Sequence, residues 1–391
     1  MKYKNHTILV IFLVLFLLFH INETYGFSKD LLEKLGSEFK EQKFISSNIC
    51  GKCHVDIFKY WKSSMHSLSY EDPIFMTAYK QAFFDTDGKA REFCLKCHAP
   101  VAYYSKDFGF KNEASKEGIT CDFCHSISGI DLDNSNQPYK VSPGKTKFGP
   151  LKDMESPVHI TRAANYFTKS EFCAGCHELK GKNGVSIIST YSEWKEGPYS
   201  KKGVQCQNCH MAYGQGFIVD QNLKKSVAKM NLHDVSGGHS LELLKNVTKV
   251  EIIELKKSGK TISAKIKVTN LKSGHKIPTG TPTRELVLKV AVKNSKGNIM
   301  CQDSIVIKKA LIDDQEKELL TDSDIILNAN SILSDNRIPP GGSREFFFSF
   351  GCDLKGEFFV DALLVYTYRP QITTYEEMNI DMSKDSKKLG N

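Results

Sequence analysis

Five copies of the pentapeptide Cys-x-x-Cys-His crowd into residues 50–210. They are Cys50, Cys53 and His54; Cys94, Cys97 and His98; Cys121, Cys124 and His125; Cys173, Cys176 and His177; and Cys206, Cys209 and His210. The pattern is that of covalent c-type haem attachment, in which two cysteines form thioethers to the porphyrin and the histidine ligates iron. With 12 Cys and 12 His in 391 residues, chance yields such a pentapeptide about 0.01 times per chain, so five copies carry the motif's full meaning. A structural zinc needs four ligands and gives no reason for a histidine after every pair. A thioredoxin-like site would occur once, in a βαβ context. The cofactor expected is therefore haem c, five groups, covalently attached.

This expectation constrains the fold. The motifs lie within residues 44–244, about 200 residues or roughly 40 per haem, so the porphyrins must supply much of the core. Short helices and long loops around stacked haems follow, with Phe and Tyr packing against porphyrin faces. Leu31, Leu32, Leu35 and Phe39 at helical spacing predict a short amphipathic helix over residues 28–47.

Five histidines remain once the motifs and His6 and His20 near the N-terminus are set aside: His66, His159, His233, His239 and His275. Their number permits every iron to take two histidines. A sixth ligand closes an iron to substrate and suits it to electron transfer, whereas an open iron can bind small ligands. Ile57, Phe58, Trp61 and Met65 predict one helix from His54 to His66, about 18 Å long, so His66 must serve a haem other than the one bound at Cys50 and Cys53. His275 lies in the Gly- and Pro-containing loop 272–280, between two predicted strands.

After about residue 246 the apolar period changes to two. Ile262, Ala264, Ile266 and Val268 alternate with polar residues, as do Leu286, Leu288, Val290 and Val292, then Phe346, Phe348 and Phe350, then Val360, Ala362, Leu364 and Tyr366. The fold class expected is α+β: an N-terminal multihaem cytochrome c domain, 27–245, and a C-terminal immunoglobulin-like β-sandwich, 246–375. The polar residues 376–391 are expected to be disordered. Cys301 and Cys352 stand outside the motifs, and an oxidising compartment favours a disulfide between them.

Lys2 and Lys4 before the apolar run 8–19, with small residues near 24–26, read as a signal peptide over 1–26 and an exported, periplasmic or extracellular protein. An uncleaved N-terminus as a membrane anchor is the alternative. Net charge is +8. Without the signal it is about +7, and ten propionates against five ferric centres bring it to about +2, so no nucleic-acid partner is inferred.

Three segments, CGKCHVDIFKYWKSSMH (50–66), TYSEWKEGPYSKKGVQCQNCHM (190–211) and GHKIPTGTPTRELVLKV (274–290), resemble the multihaem cytochrome c family that includes cytochrome c-554 of ammonia oxidisers and related nitrogen-cycle and metal-respiring cytochromes. The likeness covers most of residues 44–370. It implies that His66 is a distal ligand and that His275 reaches back from the β region to a haem. The chain departs from the c-554 type in having five motifs rather than four. The function expected is electron transfer between redox partner proteins or a membrane quinol-linked oxidoreductase, with no catalytic protein residue. Two rivals stand beside it: a reductase of a small nitrogen or sulfur compound at one open haem, although no Cys-x-x-Cys-Lys motif is present, and a subunit of an extracellular cytochrome filament.

Overall fold

The structure, a computed structural model, describes residues 28–40, 43–134, 137–181, 183–220, 228–352, 356–368 and 378–389. The expected signal peptide lies outside them. No helix among the described residues is long and apolar enough to cross a membrane.

The N-terminal part is built from short helices, turns and two-stranded pairings. Its first helix, Lys29–Glu38, begins where the Ser28 hydroxyl accepts the Leu31 N–H and buries Leu35. It stops well short of residue 47. Each motif sits on or against a short helix, and in four of them the histidine is the last helical residue: Ala90–His98, Cys121–His125, Glu171–His177 and Cys206–His210. Polar caps start two of these. Thr120 Oγ1 accepts from Phe123 N at 2.9 Å, and Gln205 and Asn208 form a capping box before the fifth motif.

The single helix expected from His54 to His66 is two. Helix Val55–Lys62 ends at Ser63, and a separate turn, Met65–Leu68, begins after Ser64 in extended conformation. Serine hydroxyls compete with the helical ladder here. Ser64 Oγ accepts from Ser67 N, and Ser67 Oγ donates to Lys62 O at 2.9 Å. Trp61 Nε1 donates to the Ile119 carbonyl at 2.9 Å, and the His66 carbonyl accepts Ile119 N at 2.9 Å, so the His66 turn is fixed from outside.

Among the described residues the C-terminal part contains nine strands: β1 Thr248–Ser258, β2 Thr261–Asn270, β3 Arg284–Asn294, β4 Ile299–Ile307, β5 Lys309–Ile312, β6 Ser331–Asp335, β7 Ser343–Gly351, β8 Phe358–Tyr368 and β9 Met378–Leu389. They form an antiparallel sheet β7-β2-β1, a second antiparallel sheet β4-β3-β8-β9 and the hairpin β5-β6. The alternating residues read from the sequence in β2, β3, β7 and β8 are buried in one cluster shared by the two larger sheets. Cys301 on β4 is disulfide-bonded to Cys352, just past β7, with Cα atoms 6.5 Å apart, so the bridge ties one sheet to the other.

Two boundary expectations are corrected. Residues 378–389 are not a disordered tail: β9 pairs with β8 along its length, from Phe358 opposite Leu389 to Tyr368 opposite Met378. Ile380 and Met382 join the core. As an edge strand it needs few apolar side chains, and its lysines are what an exposed edge favours. The sheet core also begins before residue 246, because Leu244 of helix Leu241–Lys245 is buried in it and Ile74 packs against it.

Candidate haem-binding site

Nine of the ten motif cysteines are half-buried and Cys209 is exposed. The motifs cluster. The Cys50 and Cys121 thiols lie near enough to shift each other's ionisation, as do Cys97 with Cys176 and Cys173 with Cys206. Asp122, buried inside the third motif, accepts Ile45 N at 2.8 Å and pairs with Lys147, anchoring that helix to the strand Thr146–Gly149.

The histidines form facing pairs. His54 lies opposite His159 with ring centres 6.3 Å apart, His177 opposite His66 at 6.5 Å, His125 opposite His233 at 6.5 Å, and His210 opposite His275 at 6.3 Å. Each pair joins one motif histidine to one of the spare histidines. A metal–imidazole bond of about 2.0 Å plus roughly 1.1 Å from nitrogen to ring centre, taken twice, would separate two imidazoles on opposite sides of one metal by about 6.2 Å. The observed spacings therefore fit one iron between each pair. Among the described residues no three His, Cys, Asp or Glu side chains converge as a non-haem metal site would require.

The orientation of the rings agrees. Nδ1 of His54 is 2.6 Å from the Ile218 carbonyl, of His98 3.0 Å from Ser69, of His125 2.6 Å from Phe148, of His233 2.9 Å from Asn231 and of His275 2.9 Å from Lys276. A carbonyl can only accept, so Nδ1 carries the proton and Nε2 keeps its lone pair for a metal, the usual outer contact of a ligating histidine. Burial keeps the rings neutral. It pushes His66, His159, His210 and His233 down to about 4, and His177 to about 3; the facing histidine adds to the effect for His159, His177, His210 and His233, and His210 adds to it for His66.

His98 faces no histidine among the described side chains. Phe75 stacks on its ring at 3.7 Å and 7°, and Phe167 stacks on His125 at 5.4 Å. His239 ends the turn Gly237–His239, and its side chain lies outside the described residues.

The family of cytochromes c554 and c-prime matches residues 49–126. In fold the chain is similar to a penta-haem cytochrome c552 from Thermochromatium tepidum, at 23% identity over 88% of this chain and 99% of that one, with a TM-score of 0.70. Residues 49–126 are thus similar to that family, and the chain as a whole has the fold of a penta-haem cytochrome. A putative β-galactosidase from Bacteroides fragilis also matches (12% identity, 38% of this chain and 18% of that one, TM-score 0.21). An Arabidopsis thaliana protein matches at 12% identity over 38% of this chain and 82% of that one, with a TM-score of 0.21. Likenesses that weak carry no argument about this chain. No curated protein matches its sequence.

Residues that sequence reasoning missed surround these histidines. The carbonyls of Ser69, Phe148, Ile218, Asn231 and Lys276 have no sequence signature, since every residue carries one. A charged cluster of buried Glu193, Lys309 and Arg337 with half-buried Asp335 lies behind His275. Glu193 and Lys276 fall inside two of the segments that carry the family resemblance, and that was the available signal.

Proposed function

We propose that this cytochrome is an exported electron carrier holding five covalent haems c, each iron between two histidines, and that it passes electrons between redox partner proteins or a membrane quinol-linked oxidoreductase. The observation that carries the reading is the set of four histidine pairs at 6.3–6.5 Å. When bound, haem supplies reversible one-electron transfer at iron. The motif cysteines attach it, His54, His125, His177 and His210 ligate with His159, His233, His66 and His275, and His239 is left for His98. Two histidines at each of the four paired sites leave no coordination position there for a substrate, which favours the carrier and leaves the reductase only the haem at His98.

The cysteine contacts support a connected array of attachment points. The first motif touches the third, and the second and fifth each touch the fourth. Cys124 of the third also interacts electrostatically with Cys173 and Cys176 of the fourth. The fourth is thus a junction. Export is supported by the Cys301–Cys352 bridge, which suits an oxidising compartment. The C-terminal sheets we read as an immunoglobulin-like sandwich that supplies His275 and braces the fifth haem.

Low-temperature electron paramagnetic resonance of the ferric protein tests the assignment. Five low-spin signals are expected from the five motifs. A high-spin haem that binds nitrite, hydroxylamine or sulfite would transfer support to the reductase.

A further inference from the structure

We propose that Glu193 is the positioning residue for His275, gripping the loop 272–280 of the sheet region from the helix Thr190–Glu196 of the haem region; this rests on the reading of His275 as an axial ligand. The carboxylate uses both oxygens. Oε2 accepts from Lys276 N at 3.1 Å and Thr279 Oγ1 at 3.2 Å, and Oε1 accepts from Ser189 Oγ at 2.7 Å and Arg337 Nη2 at 2.7 Å. The Lys276 carbonyl in turn accepts His275 Nδ1–H at 2.9 Å. Glu193 therefore holds the N–H, and His275 the C=O, of the same residue. Fixing that residue fixes the ring that faces His210, 6.3 Å away centre to centre.

Arg337 completes the grip. Its guanidinium takes Asp335 through Nε and Nη2, both at 2.9 Å, and donates Nη1–H to the Pro278 carbonyl at 3.2 Å. Asp335 also holds Lys276 Nζ at 2.8 Å. The loop is thus seized at Lys276, Pro278 and Thr279. Glu193 is 7% exposed and Arg337 4%. A carboxylate and guanidinium so desolvated are stable only with every partner in place, so the cluster tolerates one loop arrangement rather than several. Contacts of this kind behind a ligating histidine orient its ring and tune the metal. Glu193 also adds a negative charge one residue from the ring, which favours the ferric state and lowers the potential of that iron.

The test uses the full-length holoprotein. Glu193→Gln keeps the side chain's size and one acceptor while removing the charge, and Glu193→Ala removes the grip. Both variants should retain all five covalent haems by mass. In Glu193→Gln one haem should move to higher potential in a spectroelectrochemical titration, with its low-spin signal displaced and the other four unchanged. In Glu193→Ala that same haem should become high spin. His275→Ala, measured alongside, identifies which haem it is. If His275→Ala opens one haem while neither Glu193 variant alters it, or if they alter a different one, the positioning role is wrong and the axial assignment stands. If His275→Ala opens no haem, both fall. Should Glu193→Ala fail to fold, the potential and signal of Glu193→Gln decide alone.

Discussion

Gly118 shows how narrow the tolerances are at single positions. Its φ is +65°, and a Cβ there would lie 2.6 Å from the His66 carbonyl oxygen and 2.8 Å from that of Ser67. Only glycine lets residue 119 approach closely enough to bond the His66 turn. Gly118→Ala should cost about 1–3 kcal/mol, because both the backbone conformation and the contact are violated. Thermal unfolding followed by haem absorbance measures it, and an unchanged midpoint would show that the turn can relax. Lys309 makes a second prediction. Burial, reinforced by Arg337, pushes its ammonium from 10.5 down to about 8. Between those values the unfolded chain binds more protons than the folded one, so stability should rise with pH across this window, and the penalty is complete below about pH 8. Denaturant unfolding at pH 7 and 9.5 should show the gain, and Lys309→Met should abolish the part due to this group.

Single elements owe their form to their partners. β9 carries so few apolar residues that its own pattern is weak, and it becomes a strand because β8 offers an unpaired edge and the core accepts Ile380 and Met382. Ile380→Ala or Met382→Ala should therefore each cost about 2–4 kcal/mol, as for other buried apolar side chains. Denaturant midpoints check this, and a change within error would mean the strand is not seated. The disulfide joins strands of different sheets across 51 residues. Reducing it should lower stability by about 2–4 kcal/mol while leaving the haem spectrum of the folded protein intact, since no ligand lies on the strands it joins. The break between Val55–Lys62 and Met65–Leu68 belongs to this scale too. Apolar spacing registered the helical face, but three serines in five residues, 63–67, offered the backbone other partners.

At the level of the molecule, the haem and sheet regions are joined by the histidine pair His210–His275 and by the buried Glu193–Arg337 ion pair. Cleaving the chain near residue 246 should then leave the regions associated, whereas His275→Ala should open one iron and loosen them together. Size-exclusion chromatography with absorbance at the haem band distinguishes these outcomes, and clean separation of the cut wild-type protein would contradict the joint. His66→Ala should convert to high spin the haem attached at Cys173 and Cys176, not the one at Cys50 and Cys53, because its ring faces His177. An unchanged low-spin count would refute the pairing.

What the sequence determined by itself is what is local: five attachment motifs, the family they resemble, a supply of spare histidines equal to the motifs, and the faces of β2, β3, β7 and β8. Motif and period are written in adjacent residues, so no knowledge of the rest of the chain is needed to read them. Tertiary structure alone decided which histidine faces which, since His54 meets His159 and His210 meets His275 only after long stretches of chain have folded back. It also decided the carbonyl acceptors that hold the rings, the strand made from residues 378–389 and the carboxylate grip on the His275 loop. These depend on partners distant in sequence, and a backbone carbonyl or a lone glutamate carries no mark of the partner it will meet.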